Sequence, residues 1–258
     1  MTYSNNFTAR ALVFKALVGS HNYNLNTTDS DKDYKIFVFP NFDDLYNKRE
    51  YNLNQTSPEQ DFTVHDIRKL PEFLWKANLN FIEILYSAEY ELPGHIETYW
   101  GPAIRILDFL KENRDAITTM NLPELFERTY YGALNKQKMM MKDSPGKHKN
   151  FERFGYDTKN ACHAVRMLDF LVKLSQDTSN IHEAFYYRNN NASRNLLIDI
   201  KQGKYNLEEI NKIIEQKATQ AKKIEIFFKQ QKINEKIFNE LNNSIKKNVK
   251  SYFVITQK

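Results

Sequence analysis

In the run VGSHNYNLNTTDSDKDYKIFVFP, Val18 to Pro40, Asp31 and Asp33 flank a single lysine and open an apolar segment. On extended backbone, residues i and i+2 point to the same side, roughly 6.5 Å apart. Two carboxylates so placed can converge on one or two magnesium ions, which take oxygen ligands and keep waters for substrate phosphates. Upstream, Gly19-Ser20 closes the apolar stretch ALVG. Glycine lets a chain turn sharply and approach a ligand closely, and the N–H groups and hydroxyl of such a turn can cradle a phosphate. Taken singly, the Gly-Ser pair also reads as an ordinary turn and the Asp-x-Asp as a solvated strand edge. Their spacing puts a phosphate cradle and a metal site on adjacent strand ends. Asp61, in EQDFTVHDIRKL, can add a third carboxylate from a neighbouring strand.

Strand and helix signals alternate over the first hundred residues. Thr8 to Lys15 reads as a short helix, ALVG as a strand end and Tyr34 to Phe39 as a second strand. EQDFTVHDIRKL predicts a third strand leading into a helix, with Asp61, Thr63 and His65 on one face and Phe62 and Val64 on the other. Asp66 reads as a cap for that helix, and Pro71 predicts a kink or a late start. From about Pro102 apolar residues recur at helical spacing, and Asn206 is a plausible N-cap. The expected fold is α+β: a mixed-sheet head over residues 1–101, then a helical body over 102–258. The irregular segment Lys142 to Asp157 is the best candidate for a long functional loop.

The Gly-Ser turn and Asp-x-Asp resemble the nucleotidyltransferase superfamily that includes DNA polymerase β. GSHNYNL followed by SDKD is similar to the GS-x-x-YGL…SDxD pattern of one bacterial and phage branch of predicted nucleotidyltransferases, some encoded beside RNA ligases. The segments DFTVHDIRKL, NLNFIEIL, YDTKNACHAVRML and RNLLIDIKQGKYNLEEI extend the likeness over about residues 15 to 215. Asn24 stands where the branch has glycine, which its tolerance of left-handed backbone allows. Leu79 stands where the branch has proline.

The resemblance implies transfer of a nucleoside monophosphate from an NTP, such as ATP, to an acceptor hydroxyl, with pyrophosphate leaving. Asp31, Asp33 and Asp61 would be the catalytic and metal-binding residues, holding two Mg2+ ions, with Asp61 also a candidate proton acceptor. Gly19 and Ser20 would hold the β- and γ-phosphates. Lys159, His163 and Arg166 follow i, i+4, i+7 spacing, and this stripe would face the triphosphate across a head–body cleft; its other reading is a solvated face. Tyr23 either stacks on a base or packs the loop.

Composition is compatible with this reading. The chain has 258 residues, 41% of them hydrophobic, with 18 Phe and 15 Tyr, which argues against disorder. The single cysteine, Cys162, excludes an internal disulfide, and no apolar run approaches a membrane span. A cytoplasmic protein is expected, and its Lys/Asn/Ile-rich vocabulary fits an AT-rich phage or bacterial genome. The net charge of +5 suits phosphate-bearing partners and tilts the acceptor toward RNA, ahead of a small molecule or a protein hydroxyl. The competing readings are a non-catalytic nucleotide-binding or regulatory module and a metal-dependent phosphohydrolase. Clustered acids argue against the first, because binding a nucleotide does not require them.

Overall fold

The computed structural model describes residues 10–28, 30–56, 60–142 and 148–256. Five strands form one mixed sheet: β1 (Leu12–Val18), β2 (Lys32–Val38), β3 (Asn52–Thr56), β4 (Gln60–Asp66) and β5 (Tyr90–Glu91), in the order β3-β4-β2-β1-β5. β2 and β4 run parallel and the other neighbours antiparallel. The register pairs Val18 with Asp33 and Asp33 with Asp61. The last residue of β1 and two acids therefore stand in one row at one end of the sheet.

The helix expected over Thr8 to Lys15 is a correction. Thr8 lies outside the described residues, and Leu12 onward is strand β1. This strand is central and covered on both faces: Phe14 and Ala16 enter the main core, while Leu17 packs with Tyr34, Val38, Phe62 and Val64 on the opposite face. A strand buried on both sides loses the in-out alternation that marks strands in sequence. β4 keeps its alternation as expected, with Phe62 and Val64 in the smaller cluster and Asp61, Thr63 and His65 on the face toward the helices.

Short helices follow the strands: α1 (Gly19–Asn22), α2 (Phe42–Tyr46), α3 (Leu70–Trp75) and α4 (Leu79–Ile82). Asp66 caps a 3-10 turn over Ile67–Lys69, and α3 starts late, with Pro71 in its first turn. A second 3-10 turn, Glu83–Tyr86, follows α4. The remainder is helical: α5 (Trp100–Glu112), α6 (Arg114–Thr119), α7 (Leu122–Met140), α8 (His148–Phe154), α9 (Thr158–Gln176), α10 (Ile181–Phe185), α11 (Ala192–Lys201), α12 (Leu207–Lys223), α13 (Glu225–Lys229) and α14 (Glu235–Thr256). Asn206 caps α12 in a reciprocal capping box with Glu209.

The fold is α+β, a small mixed sheet followed by a helical body. One continuous cluster of buried side chains runs from β1 to α14, with α9 at the centre of α7, α10, α11 and α12. The segment expected to be one long loop, Lys142 to Asp157, contains α8, and its residues 143–147 lie outside the described residues. No helix among the described residues is long and apolar enough to cross a membrane.

Candidate active site

β1 leaves the sheet at Val18, and Gly19 turns the chain with φ +71°. A Cβ at Gly19 would lie 2.3 Å from Asp33 Oδ2. Two conditions therefore require glycine here: left-handed backbone and direct contact with the carboxylate two places into β2. The turn is held from beneath, since Gly19 N–H donates to Glu83 Oε2 at 3.0 Å. Asn24, the residue in place of the branch's glycine, adopts φ 60°.

Asp33 and Asp61 are side by side on the parallel pair β2–β4, where strands are about 4.8 Å apart. Burial pushes the Asp33 carboxyl up from its ordinary value; Lys159 pulls it back, while the charges of Asp61 and Asp31 push it further up. Asp61 Oδ1 is enclosed and has no hydrogen-bond partner among the described residues. An enclosed, unmatched carboxylate oxygen is costly, and native structures rarely leave one without a reason. Asp31 is exposed, just ahead of β2 and within the field of Asp33. Among the described residues, no three His, Cys, Asp or Glu side chains converge closely enough to ligate one ion. The geometry thus pairs Asp33 with Asp61 and leaves Asp31 at their edge. Two adjacent, mutually repelling carboxylates, one with an unmatched oxygen, fit a hard divalent cation.

Asp66, the other acid of β4, has no part in this row. It sits at the far end of β4, fully buried, where it caps the 3-10 turn and pairs with Arg68 Nη2 at 2.6 Å.

The opposing wall is α9, whose N-terminus is capped by Asp157. Lys159 is exposed and near enough to Asp33 to affect its charge. His163 is half-buried and held well below its ordinary value, by burial first and then by Arg166, Lys136, Lys159 and Lys201. Arg166 is only 5% exposed, with its guanidinium 3.9 Å above the Tyr23 ring. The stripe is thus not a solvated face: it runs from the site inward to the core. Tyr23 is 3% exposed, donates its hydroxyl to Glu83 Oε2 and stacks on Phe185, so its ring offers no face to a base. Lys159 stands near Asp33, His163 sits among basic side chains of the helical body, and Arg166 and Tyr23 lie behind the Gly19 turn.

The sheet end thus brings together paired aspartates, a glycine turn packed against one of them, and Lys159 of α9. A model of the RNA repair pathway DNA polymerase beta family, RlaP, matches residues 3–250. The chain belongs to this family. No curated protein matches the chain.

Around the Gly19 turn and Asp33 the structure of this polymerase-β-like family member also gathers residues outside the Gly-Ser and Asp-x-Asp segments. Glu83 is 4% exposed and grips the Gly19 turn; its only signal in sequence is a lone acid inside the apolar run FIEILY. Lys35 shares the Asp33 face of β2 and is half-buried, and burial lowers its amine from its ordinary value, against the pull of Glu83 and Asp33. Lys201, at the end of α11, donates to Leu25 O at 3.1 Å and Ser30 Oγ at 2.9 Å, tying the turn-to-β2 loop to the helical body. Arg194 on the same helix donates to Asn24 O at 2.8 Å.

Proposed function

We propose that the chain transfers a nucleoside monophosphate from an NTP to a hydroxyl at an RNA end and releases pyrophosphate. The observation that carries this reading is the Asp33–Asp61 pair, with its unmatched Asp61 oxygen, set against the Gly19 turn and facing Lys159. Asp33 and Asp61 would hold Mg2+, with Asp31 joining from the exposed edge. When bound, the ions would screen the triphosphate and lower the pKa of the attacking hydroxyl. Asp61, on the strand farther from the turn, is the candidate acceptor for the acceptor hydroxyl's proton. Ser20 from the turn and Lys159 from α9 would hold the β- and γ-phosphates, while Gly19, whose N–H is taken by Glu83, would shape the turn rather than donate to a phosphate. Neutral His163 adds a hydrogen-bonding group to the same wall without adding charge.

RNA as the acceptor is supported by the family's place in an RNA repair pathway and by the net charge of +5. The test is incubation with each α-labelled NTP, Mg2+ and RNAs bearing defined 3′ and 5′ ends. Label on one RNA end, absent from protein and small-molecule fractions, is expected. Label that survives RNase but not protease refutes the RNA acceptor, and no label in any fraction refutes transfer itself.

A further inference from the structure

Behind the Gly19 turn lies a set of polar groups that the transfer reading does not use. Glu83 accepts from Gly19 N–H at 3.0 Å and from the Tyr23 hydroxyl, while its own carbonyl accepts from Asn22 Nδ2 at 3.4 Å. Arg166 covers the Tyr23 ring at 3.9 Å. All four side chains are nearly inaccessible, at 3–5% exposure. Enclosing a carboxylate and a guanidinium costs several kcal/mol unless each is well matched. Turns of this size form without such a group. Something beyond turn formation is needed to explain a carboxylate here.

The position of the groups gives that reason. Glu83 belongs to the 3-10 turn beside the sheet, Tyr23 to the end of α1 and Arg166 to α9 in the helical body. We propose that Glu83, with Tyr23 and Arg166, is the positioning device of the transfer site, fixing the Gly19–Ser20 turn against Asp33 and making that fit depend on the helical body. This rests on the reading of the turn as the phosphate side of a nucleotidyltransferase site. Gly19 has no slack on its other side, where an added Cβ would meet Asp33 Oδ2 at 2.3 Å, so a shift of the turn is passed directly to the carboxylate. Asn24 reinforces the coupling: its Nδ2 donates to Tyr187 O at 2.7 Å, and Tyr187 N–H donates to Tyr23 O at 3.1 Å. Burial and the neighbouring charges of Arg166 and Lys35 act in opposite directions on the Glu83 carboxyl.

The test uses the full chain carrying Tyr23→Phe, which removes one hydroxyl and keeps the ring beneath Arg166, or Glu83→Gln, which keeps an acceptor for Gly19 N–H and removes the charge. Lys159 is untouched but Ser20 shifts with the turn, so KM for the NTP is expected to rise by less than about ten-fold. The kcat is expected to fall about ten- to a hundred-fold, the scale on which misplacement by about 1 Å acts. Amide hydrogen exchange reads the same device without catalysis: peptides covering 18–25 should exchange faster in Glu83→Gln, while those of α7 and α12 do not change. Wild-type kcat with unchanged exchange at 18–25 in both folded variants overturns the proposal. So does a loss of kcat that vanishes when each variant is assayed at the same interval below its own Tm, because that assigns the three residues to stability alone. If the wild-type chain transfers no nucleotide, the reading of the site fails, and the exchange comparison still decides whether Glu83 fixes the turn.

Discussion

Gly19→Ala acts where the turn packs against Asp33. The backbone there has φ +71°, and the new methyl would fall 2.3 Å from Asp33 Oδ2 and 3.2 Å from its Cγ. Left-handed backbone costs a residue with a Cβ about 1–2 kcal/mol. To reach van der Waals separation, the turn and carboxylate must part by roughly 1 Å, and driving Asp33 off its rotamer adds about 0.5–1.5 kcal/mol. The sum, about 1.5–3.5 kcal/mol, is below the 5–15 kcal/mol that holds a typical domain together. The variant should therefore fold, with a Tm lower by about 5–10 °C. Activity should fall further than stability does: an Asp33 displaced by about 1 Å should lose about a hundred-fold in kcat. Gly155→Ala is the matched control, because Gly155 has φ +76° and open space where its Cβ would stand. It carries the strain alone, about 1–2 kcal/mol, and should keep kcat. Both variants are compared by thermal unfolding and by transfer of label from an α-labelled NTP well below either Tm. A kcat for Gly19→Ala within three-fold of Gly155→Ala would refute the claim that the turn and Asp33 form one fitted unit.

Lys159→Ala should raise KM for the NTP about ten-fold with little change in kcat, since one charge-assisted bond is worth about 1.5–3 kcal/mol; steady-state kinetics on the folded variant checks it. Asp66→Asn should cost about 2–4 kcal/mol in urea unfolding by leaving Arg68 without its charge partner, while kcat stays at wild type because Asp66 is at the far end of β4 from Asp61. His65 is buried among Phe37, Phe73 and Phe81, and burial lowers its ring from 6.5 to about 4. Below 6.5 the unfolded chain takes up a proton that the folded chain refuses until about 4, so stability is lost as pH falls through that window. At about 1.4 kcal/mol per pH unit the loss is at most about 3 kcal/mol, and roughly 2 kcal/mol once partial solvent access is allowed for. His65→Phe should flatten that part of the curve of unfolding free energy against pH.

The legible part of the site was the part carried by strand periodicity. Asp31-x-Asp33 and Asp61-x-Thr63-x-His65 each follow the two-residue repeat, and β4 keeps a clean alternation because its two faces meet different surroundings. β1 was misread toward its start because both its faces are covered, and a two-sided apolar strand has no alternation to find. The stripe Lys159–His163–Arg166 was visible as spacing, but its depth was not: helical spacing fixes a shared face and says nothing of how that face tilts into the core. Glu83 and Lys201 were not read as site residues, because what joins them to the Gly19 loop is contact across 60 or more positions of chain. Sequence patterns carry local period, and these contacts are tertiary. The role of Gly19 changed accordingly, from a residue freeing backbone for a phosphate to one that also makes room for Asp33.

Whether Asp33 and Asp61 carry out nucleotidyl transfer is decided with an NTP labelled at both the α- and γ-phosphates, comparing the wild-type chain with Asp61→Asn. The variant removes one charge, leaves the shape of β4 intact and should be at least as stable as wild type, because it relieves the repulsion between paired carboxylates. Wild type should move α-label to the RNA and γ-label to pyrophosphate in equal amounts. Asp61→Asn should do so at least about a hundred-fold more slowly. Inorganic phosphate as the γ-labelled product, or undiminished transfer by folded Asp61→Asn, would contradict this role for the pair.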